Sequence, residues 1–290
     1  MKKTIISLLA LIAYTSVNAQ TMKIYKGTTL VAEYPADQAD NIVFSQENSE
    51  QPTEKKYVLD KYIEEDKDGA ISTSYFTTDD QGSTIAVINK AAYSSLRIYA
   101  YRDNLIQRTS YDHTYVVYTL NDQNLIVKAE TYNSKEELVH TGNYEYDSKG
   151  RIISEKDANG NPTSIYTWND DDDLIRCEMP GNSGTIVITE ITPSEQSVNH
   201  NHTIYNMTGS IDESLFMNGY FGIASKHLPA HKETTTQGSP LSMSNTTDYT
   251  YTITNGRLMG METHSITEAQ PYNIKTENNT KCTFVWKEIK

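Results

Sequence analysis

The sequence predicts an all-β fold: an antiparallel meander of hairpins rolled into a barrel-like sheet, with one short helix in a long loop and a small N-terminal β unit. Three observations carry this reading. Short runs rich in Tyr, Thr, Ile and Val recur along most of the 290 residues, as β-propensity requires. Asp, Asn and Gly punctuate those runs at regular intervals. One hairpin pattern also returns several times along the chain.

The first segment stands outside the fold. Lys2 and Lys3 precede an apolar run from Ile5 to Ala13, and Val17-Asn18-Ala19 supplies a small-residue cleavage pattern. Residues 1–19 are therefore expected to be a cleaved signal peptide, which places the protein in the periplasm, at the cell surface or in the medium. No cysteine stands near the Ala19-Gln20 junction after the apolar run, so a lipoprotein anchor is not expected. Two of the 25 Lys and Arg residues leave with the leader, so 23 basic residues face 38 acidic ones and the formal charge falls from −13 to −15. That balance argues against a nucleic-acid partner, which needs clustered Lys and Arg. No other run reaches the length of a membrane-spanning helix.

Residues 20–44 read as a small N-terminal β unit. Thr21–Tyr25 and Leu30–Tyr34 flank the turn signal Lys26-Gly27-Thr28-Thr29, and Asp40-Asn41-Ile42-Val43-Phe44 ends in a third short strand. Residues 45–56 carry Gln, Glu, Ser, Pro and Lys without a large apolar residue and read as a linker. Residues 57–290 form the main domain. Strands are expected at Tyr57–Ile63, Ile71–Thr78, Thr84–Ile88, Leu96–Tyr101, Tyr115–Leu120, Leu125–Tyr132, Leu138–Tyr146 and Arg151–Glu155. Further strands are expected at Thr163–Trp168, Leu174–Met179, Thr185–Ile191, Asp248–Thr254, Arg257–Glu262 and Thr280–Trp286.

The repeat is a hairpin. Tyr144-Glu145-Tyr146-Asp147-Ser148-Lys149-Gly150-Arg151-Ile152 is one copy, and related copies begin at Tyr118, Tyr166 and Tyr251. Each places two residues on one face of a strand, bends at an Asn/Asp/Gly turn and returns. Asp or Asn at the turn entry can accept hydrogen bonds from the backbone it bends, and Gly tolerates positive φ. Residues 193–240 break this rhythm. Ser210-Ile211-Asp212-Glu213 is a capping-box pattern ahead of Leu215 and Phe216, so a short helix is expected there. Such an insertion in a meander is where a ligand or a barrel plug belongs.

The hairpin copies resemble YD repeats, whose core Tyr-x-Tyr-Asp-x-x-Gly-Arg-Leu/Ile is matched throughout by Tyr144 to Ile152. From about Tyr93 to Ile289 the chain is similar to a family of exported Bacteroidota proteins of unknown function with a porin-like β-barrel fold. That similarity rests on the hairpin copies, on the Tyr220–Pro229 segment and on the Tyr249–Leu258 hairpin. Residues 21–44 also resemble an N-terminal segment of exported proteins from such bacteria, which ends in Asp-x-Ile-x-Phe. The resemblance implies a porin-like barrel and assigns no catalytic residues. A lipid-facing wall needs one uncharged face on each strand. Glu155 and Lys156 place charge on both faces of their strand, and the chain ends Trp286-Lys287-Glu288-Ile289-Lys290 without a terminal aromatic. No transmembrane insertion is expected.

Chemistry-bearing clusters are few. Asp170 to Asp173 can offer carboxylates to Ca²⁺, or simply form a solvated turn; the stretch lacks the Gly and distant Glu of an EF-hand. His200 and His202 share a face if their stretch is a strand, and need a third ligand to hold zinc. Cys177 and Cys282 read as core positions, either bridged or as two separate thiols. No Gly-x-Ser-x-Gly elbow, HExxH pattern or phosphate-cradling loop is present in the sequence. The expectation is a non-enzymatic binding module without a cofactor. Its ligand is either lipid-like, held by Phe216, Tyr220, Phe221 and Leu228, or a glycan stacked on tyrosine rings. A hydrolase of extracellular polymers, using paired carboxylates, is the remaining alternative.

Overall fold

The computed structural model describes residues 21–26, 29–35, 56–91, 95–181, 184–201, 211–238 and 242–289. The leader at 1–19, the linker up to residue 55, the Asp40–Phe44 strand, Ser210 and His202 lie outside the described residues. The chain divides into two compact units, residues 1–54 and 55–290. In the first, β1 (Thr21–Lys26) and β2 (Thr29–Pro35) pair as an antiparallel two-stranded sheet.

The second unit is a closed antiparallel barrel of 16 strands. It begins with β3 (Lys56–Asp66), β4 (Ile71–Thr78), β5 (Thr84–Lys90), β6 (Ser95–Arg102), β7 (Leu105–Ser110) and β8 (Tyr115–Leu120). It continues through β9 (Ile126–Tyr132), β10 (Leu138–Tyr146), β11 (Ile152–Lys156), β12 (Pro162–Trp168) and β13 (Leu174–Pro180). The last five strands are β14 (Ile186–Ser197), β15 (His227–Gln237), β16 (Ser242–Thr254), β17 (Arg257–Gln270) and β18 (Ile274–Ile289). Each strand pairs with the next, and β18 closes on β3, where Cys282 lies opposite Glu64. The helix α1 (Glu213–Met217) falls between β14 and β15.

Local chemistry sets the turns. In seven of them the entry side chain (Asp66, Asp79, Asn121, Asn133, Asp147, Asp157 or Asn169) accepts from the backbone N–H two and four residues on, at 2.8–3.0 Å. The residue three after the entry then has positive φ, as at Gly150 (φ 80) and Asn124 (φ 60), a conformation that Gly, Asn and Asp adopt most readily. Because a hairpin copy is one full up-and-down unit, the turns at 121–125, 147–151, 169–173 and 254–257 all reach the same end of the barrel.

The first tyrosine of each of three copies points inward and is buried: Tyr118 (2% exposed), Tyr144 (5%) and Tyr166 (3%). The second aromatic of a copy bonds the neighbouring hairpin. The Tyr146 hydroxyl donates to the Ile126 carbonyl at 2.7 Å, and the Trp168 indole N–H donates to the Ile152 carbonyl at 2.7 Å. Ile126 and Ile152 hold equivalent places in successive copies, so these bonds form a ladder near the barrel end. On the outer face, Tyr115 and Tyr132 stack across strands with ring centroids 4.8 Å apart. Those aromatics contribute to sheet pairing.

Outward residues carry many charges. Lys128 pairs with Glu130 (2.7 Å), Lys156 with Glu145 (2.6 Å), and Arg176 with both Glu178 (2.8 Å) and Glu190 (2.6 Å). No helix among the described residues is long and apolar enough to cross a membrane. Cys177 and Cys282 are both buried and unbridged, on β13 and β18.

Three elements differ from the sequence reading. β7 was not expected, because its centre, Gln107-Arg108, presents charge where a core strand is expected to be apolar; Arg108 finds an ion partner inside the barrel. β15 falls in the stretch read as irregular, where Pro229 and a polar run masked it. The helix is capped by Asp212, whose carboxylate accepts from the Leu215 N–H, so Glu213 is the first helical residue.

Candidate functional site

Residues 211–226 of the connection between β14 and β15 plug one end of the barrel. Asn218 fixes it to the β4–β5 turn, with Nδ2 donating to the Gly82 carbonyl (3.1 Å) and Oδ1 accepting from the Thr84 hydroxyl (3.0 Å). The Ile126 N–H donates to the Tyr220 carbonyl (2.8 Å), and the Lys226 N–H to the Asp172 carbonyl (3.1 Å). Asp173, almost fully buried, accepts from both the His227 backbone N–H (2.7 Å) and its ring Nδ1 (2.9 Å). The β4–β5, β8–β9 and β12–β13 turns thus each hold a segment of the connection.

Inside, α1 divides the lumen between two apolar clusters. Leu215, Phe216 and Phe221 pack with Tyr99, Tyr118, Tyr144 and Ile152. Leu228 belongs to the second cluster, with Leu59, Leu258, Met261, Cys282 and Phe284. Phe221 meets Tyr144 edge-on at 5.1 Å and Tyr118 at 6.2 Å, which is the favoured aromatic geometry. Of the four residues named from sequence, Phe216, Phe221 and Leu228 are at most 1% exposed and fill the core. Tyr220 is partly exposed and lines two cavities.

The first of these, about 450 Å³, lies between the β6–β7 and β8–β9 turns and is bordered by Tyr101, Arg102, Asp103, Gln123, Asn124 and Tyr220. Tyr101 and Tyr220 face each other with centroids 5.8 Å apart, and the Tyr101 hydroxyl donates to the Thr84 carbonyl (2.7 Å). Desolvation pushes both phenols upward, so both stay neutral hydroxyls. The second cavity, about 270 Å³, is bordered by Tyr57, Phe76, Gln81, His200 and Trp286, and shares Asn218 and Tyr220 with the first. His200 sits 4.5 Å from the Trp286 ring and both its nitrogens are engaged, Nδ1 with the Asn201 carbonyl and Nε2 accepting from the Leu258 N–H. Burial lowers its pKa, so it is neutral.

A third cavity of about 350 Å³ lies within the barrel, above α1, against the inward faces of β3 to β6. Glu64, Asn89, Arg97 and Glu213 bring polar chemistry to it, and Phe76 and Met217 supply an apolar side. The acidic turn behaves otherwise than a metal loop: Asp172 pairs with Lys149 and Arg151, and Asp173 with His227. No group of three His, Cys, Asp or Glu able to hold a metal occurs among the described residues. Sequence reasoning missed Arg102, Gln123, Glu64 and Arg97, since polar residues alternating along a strand or standing at a turn look the same whether they face water or a cavity.

No curated protein matches this chain. Among solved structures, a porin-like protein from Bacteroides uniformis aligns with a TM-score of 0.59 and 15% identity, covering 78% of this chain and 96% of that one; the likeness shows the fold alone. A TcdB2-TccC3 structure aligns with a TM-score of 0.22 and 12% identity over 70% of this chain and 17% of that one, too slight a likeness to carry a conclusion. Residues 63–259 match the model of DUF4595, a domain of unknown function with porin-like fold, and the chain belongs to that family.

Proposed function

We propose that this protein is an exported, non-enzymatic barrel, surrounded by water, that binds glycan chains at its plugged end. One observation carries the reading: two cavities that share Asn218 and Tyr220 in their walls, both combining aromatic faces with planar polar side chains. Aromatic rings with polar tips suit the apolar faces of sugars. Arg102 at the end of β6, and Asp103 and Gln123 on turns, are exposed beside them, with donors and acceptors that match hydroxyl groups. Volumes near 300–1,000 Å³ are usual for small-ligand sites.

The packing of Phe216, Phe221 and Leu228 moves the proposal from an acyl chain to a glycan, because an acyl chain has to displace core side chains to use them. The leader pattern at residues 1–19 supports export. The ion pairs on the outer wall support a water-facing barrel, since a lipid-facing strand requires an uncharged face.

Glycan-array binding followed by calorimetry tests this. The Arg102→Ala and Gln123→Ala variants, at exposed positions, are expected to weaken binding at least tenfold, and Tyr220→Ala to abolish it. An array without hits, or binding indifferent to all three substitutions, overturns the reading. So does turnover of a polysaccharide, ester or peptide substrate that is lost on a single carboxylate or serine substitution.

A further inference from the structure

We propose that the cavity above α1 is a second binding site, for a small zwitterion that carries an ammonium and a carboxylate, such as a free amino acid or dipeptide. It is independent of the glycan reading and lies on the lumenal side of the plug. Three charged groups define it. Arg97 reaches it from β6, Glu64 from β3 and Glu213 from the first residue of α1. The neighbouring ion pair does not compete for them: Arg108 and Asp212 are engaged with each other at 2.9 Å. Among the described residues Arg97 and Glu213 form no ion pair, and Glu64 accepts the Tyr62 hydroxyl through Oε2 at 2.8 Å.

Neutral polar groups line the cavity as well. The Asn89 amide donates to Ser74 Oγ (3.0 Å) and Ser72 Oγ (3.4 Å). Both serine hydroxyls are acceptors in these contacts, so their protons, and Asn89 Oδ1, are directed elsewhere. Glu213 is enclosed by the barrel yet open to water. Desolvation pushes its carboxyl upward, opposed by Arg97 and reinforced by Asp212 and Glu64.

The ligand class follows from this set. A purely anionic ligand satisfies Arg97 but faces Glu64 and Glu213, while a purely cationic one leaves Arg97 without a partner. A zwitterion answers both, with its carboxylate on the guanidinium, a charge-assisted and often bidentate contact, and its ammonium between the two carboxylates. Phe76 and Met217 then meet an apolar side chain.

Calorimetry with alanine and alanyl-alanine, against N-acetylalanine and alaninamide as single-charge controls, tests the site. Both zwitterions are expected to bind the wild-type protein at least tenfold more tightly than either control, a discrimination that needs no variant. Arg97→Gln is expected to erase the preference over alaninamide, and Glu213→Gln the preference over N-acetylalanine. Absence of binding by every probe, or equal binding by zwitterions and controls, overturns the inference. So does a preference untouched by both substitutions. Gln123→Ala leaves alanine binding unchanged and Arg97→Gln leaves glycan binding unchanged if the two sites are separate, so failure of one proposal is distinguishable from failure of the other.

Discussion

Arg108 Nη1 lies 2.9 Å from Asp212 Oδ2, and this pair ties the barrel wall to the first turn of the plug. The Tyr99 hydroxyl adds contacts to both carboxylate oxygens at 3.1 Å, and the Leu215 N–H donates to Oδ1 at 3.2 Å. One side chain thus caps the helix and anchors it. Replacing Asp212 by Ala strands a half-buried guanidinium whose Nε already has no hydrogen-bond partner among the described residues. The expected loss is about 3–5 kcal/mol, as for breaking a buried pair from one side. Tyr99→Phe removes one neutral donor and is expected to cost about 1 kcal/mol. Urea denaturation measures both; a loss from Asp212→Ala no larger than that from Tyr99→Phe contradicts the anchoring role.

Two glycines separate conformational strain from steric exclusion. Gly150 (φ +80) turns a hairpin with nothing near the position of an added Cβ, whereas a Cβ on Gly222 (φ +92) would stand 2.2 Å from the Gly150 carbonyl oxygen. Gly150→Ala is expected to cost about 1 kcal/mol from the left-handed backbone alone. Gly222→Ala adds a backbone clash and is expected to cost about 3 kcal/mol, loosening the plug at its contact with the β10–β11 turn. Hydrogen exchange in residues 215–227 reads the difference, and equal protection in the two variants refutes it.

The turn carboxylates make the barrel acid-sensitive. Asp157 is held below the usual carboxylate range by the Asn161 side chain and backbone N–H, Asp112 by Thr114, and Asp172 by Lys149. At Asp147 desolvation acts upward, but the backbone N–H and guanidinium of Arg151 outweigh it and the pKa falls. A carboxylate with a depressed folded pKa contributes stability that is present above the unfolded value, near 4, and disappears as pH drops through the folded one. Urea midpoints are therefore expected to hold from pH 7 to about pH 5 and decline below about pH 4. Asp157→Asn, which keeps the turn but not the charge, is expected to shallow that decline; an unchanged slope counts against this origin.

Lys232 has the opposite balance. It faces inward from β15, opposite Ile191 and Thr247, and desolvation alone lowers its pKa. With the folded pKa below the unfolded one, the unfolded state binds more protons, so ionisation of this group destabilises the barrel at neutral pH and the penalty fades as pH rises. Lys232→Met is expected to raise stability at pH 7 by on the order of 1 kcal/mol. A lower thermal midpoint for the variant shows that the ammonium is held by a favourable contact.

The sequence by itself determined the pieces that depend on a few adjacent residues. Asp147 and Gly150 specify their turn because an entry carboxylate and a left-handed third residue suffice to reverse the chain, and strand alternation already places Tyr144 and Tyr146 on one face. The placement of a short helix around Leu215 and Phe216 was legible for the same reason, although Asp212 caps it. Only the tertiary structure decided the closure of β18 on β3, which joins Cys282 to Glu64 across most of the chain, and the use of Phe216, Phe221 and Leu228 as plug. β7 and the lumenal cavity were hidden because Arg108, Arg97 and Glu64 satisfy their charges inside a barrel, or remain open there to a ligand, in the same alternating pattern that water-facing residues show. A strand's period tells which residues share a face; what that face meets is set by segments far away in sequence.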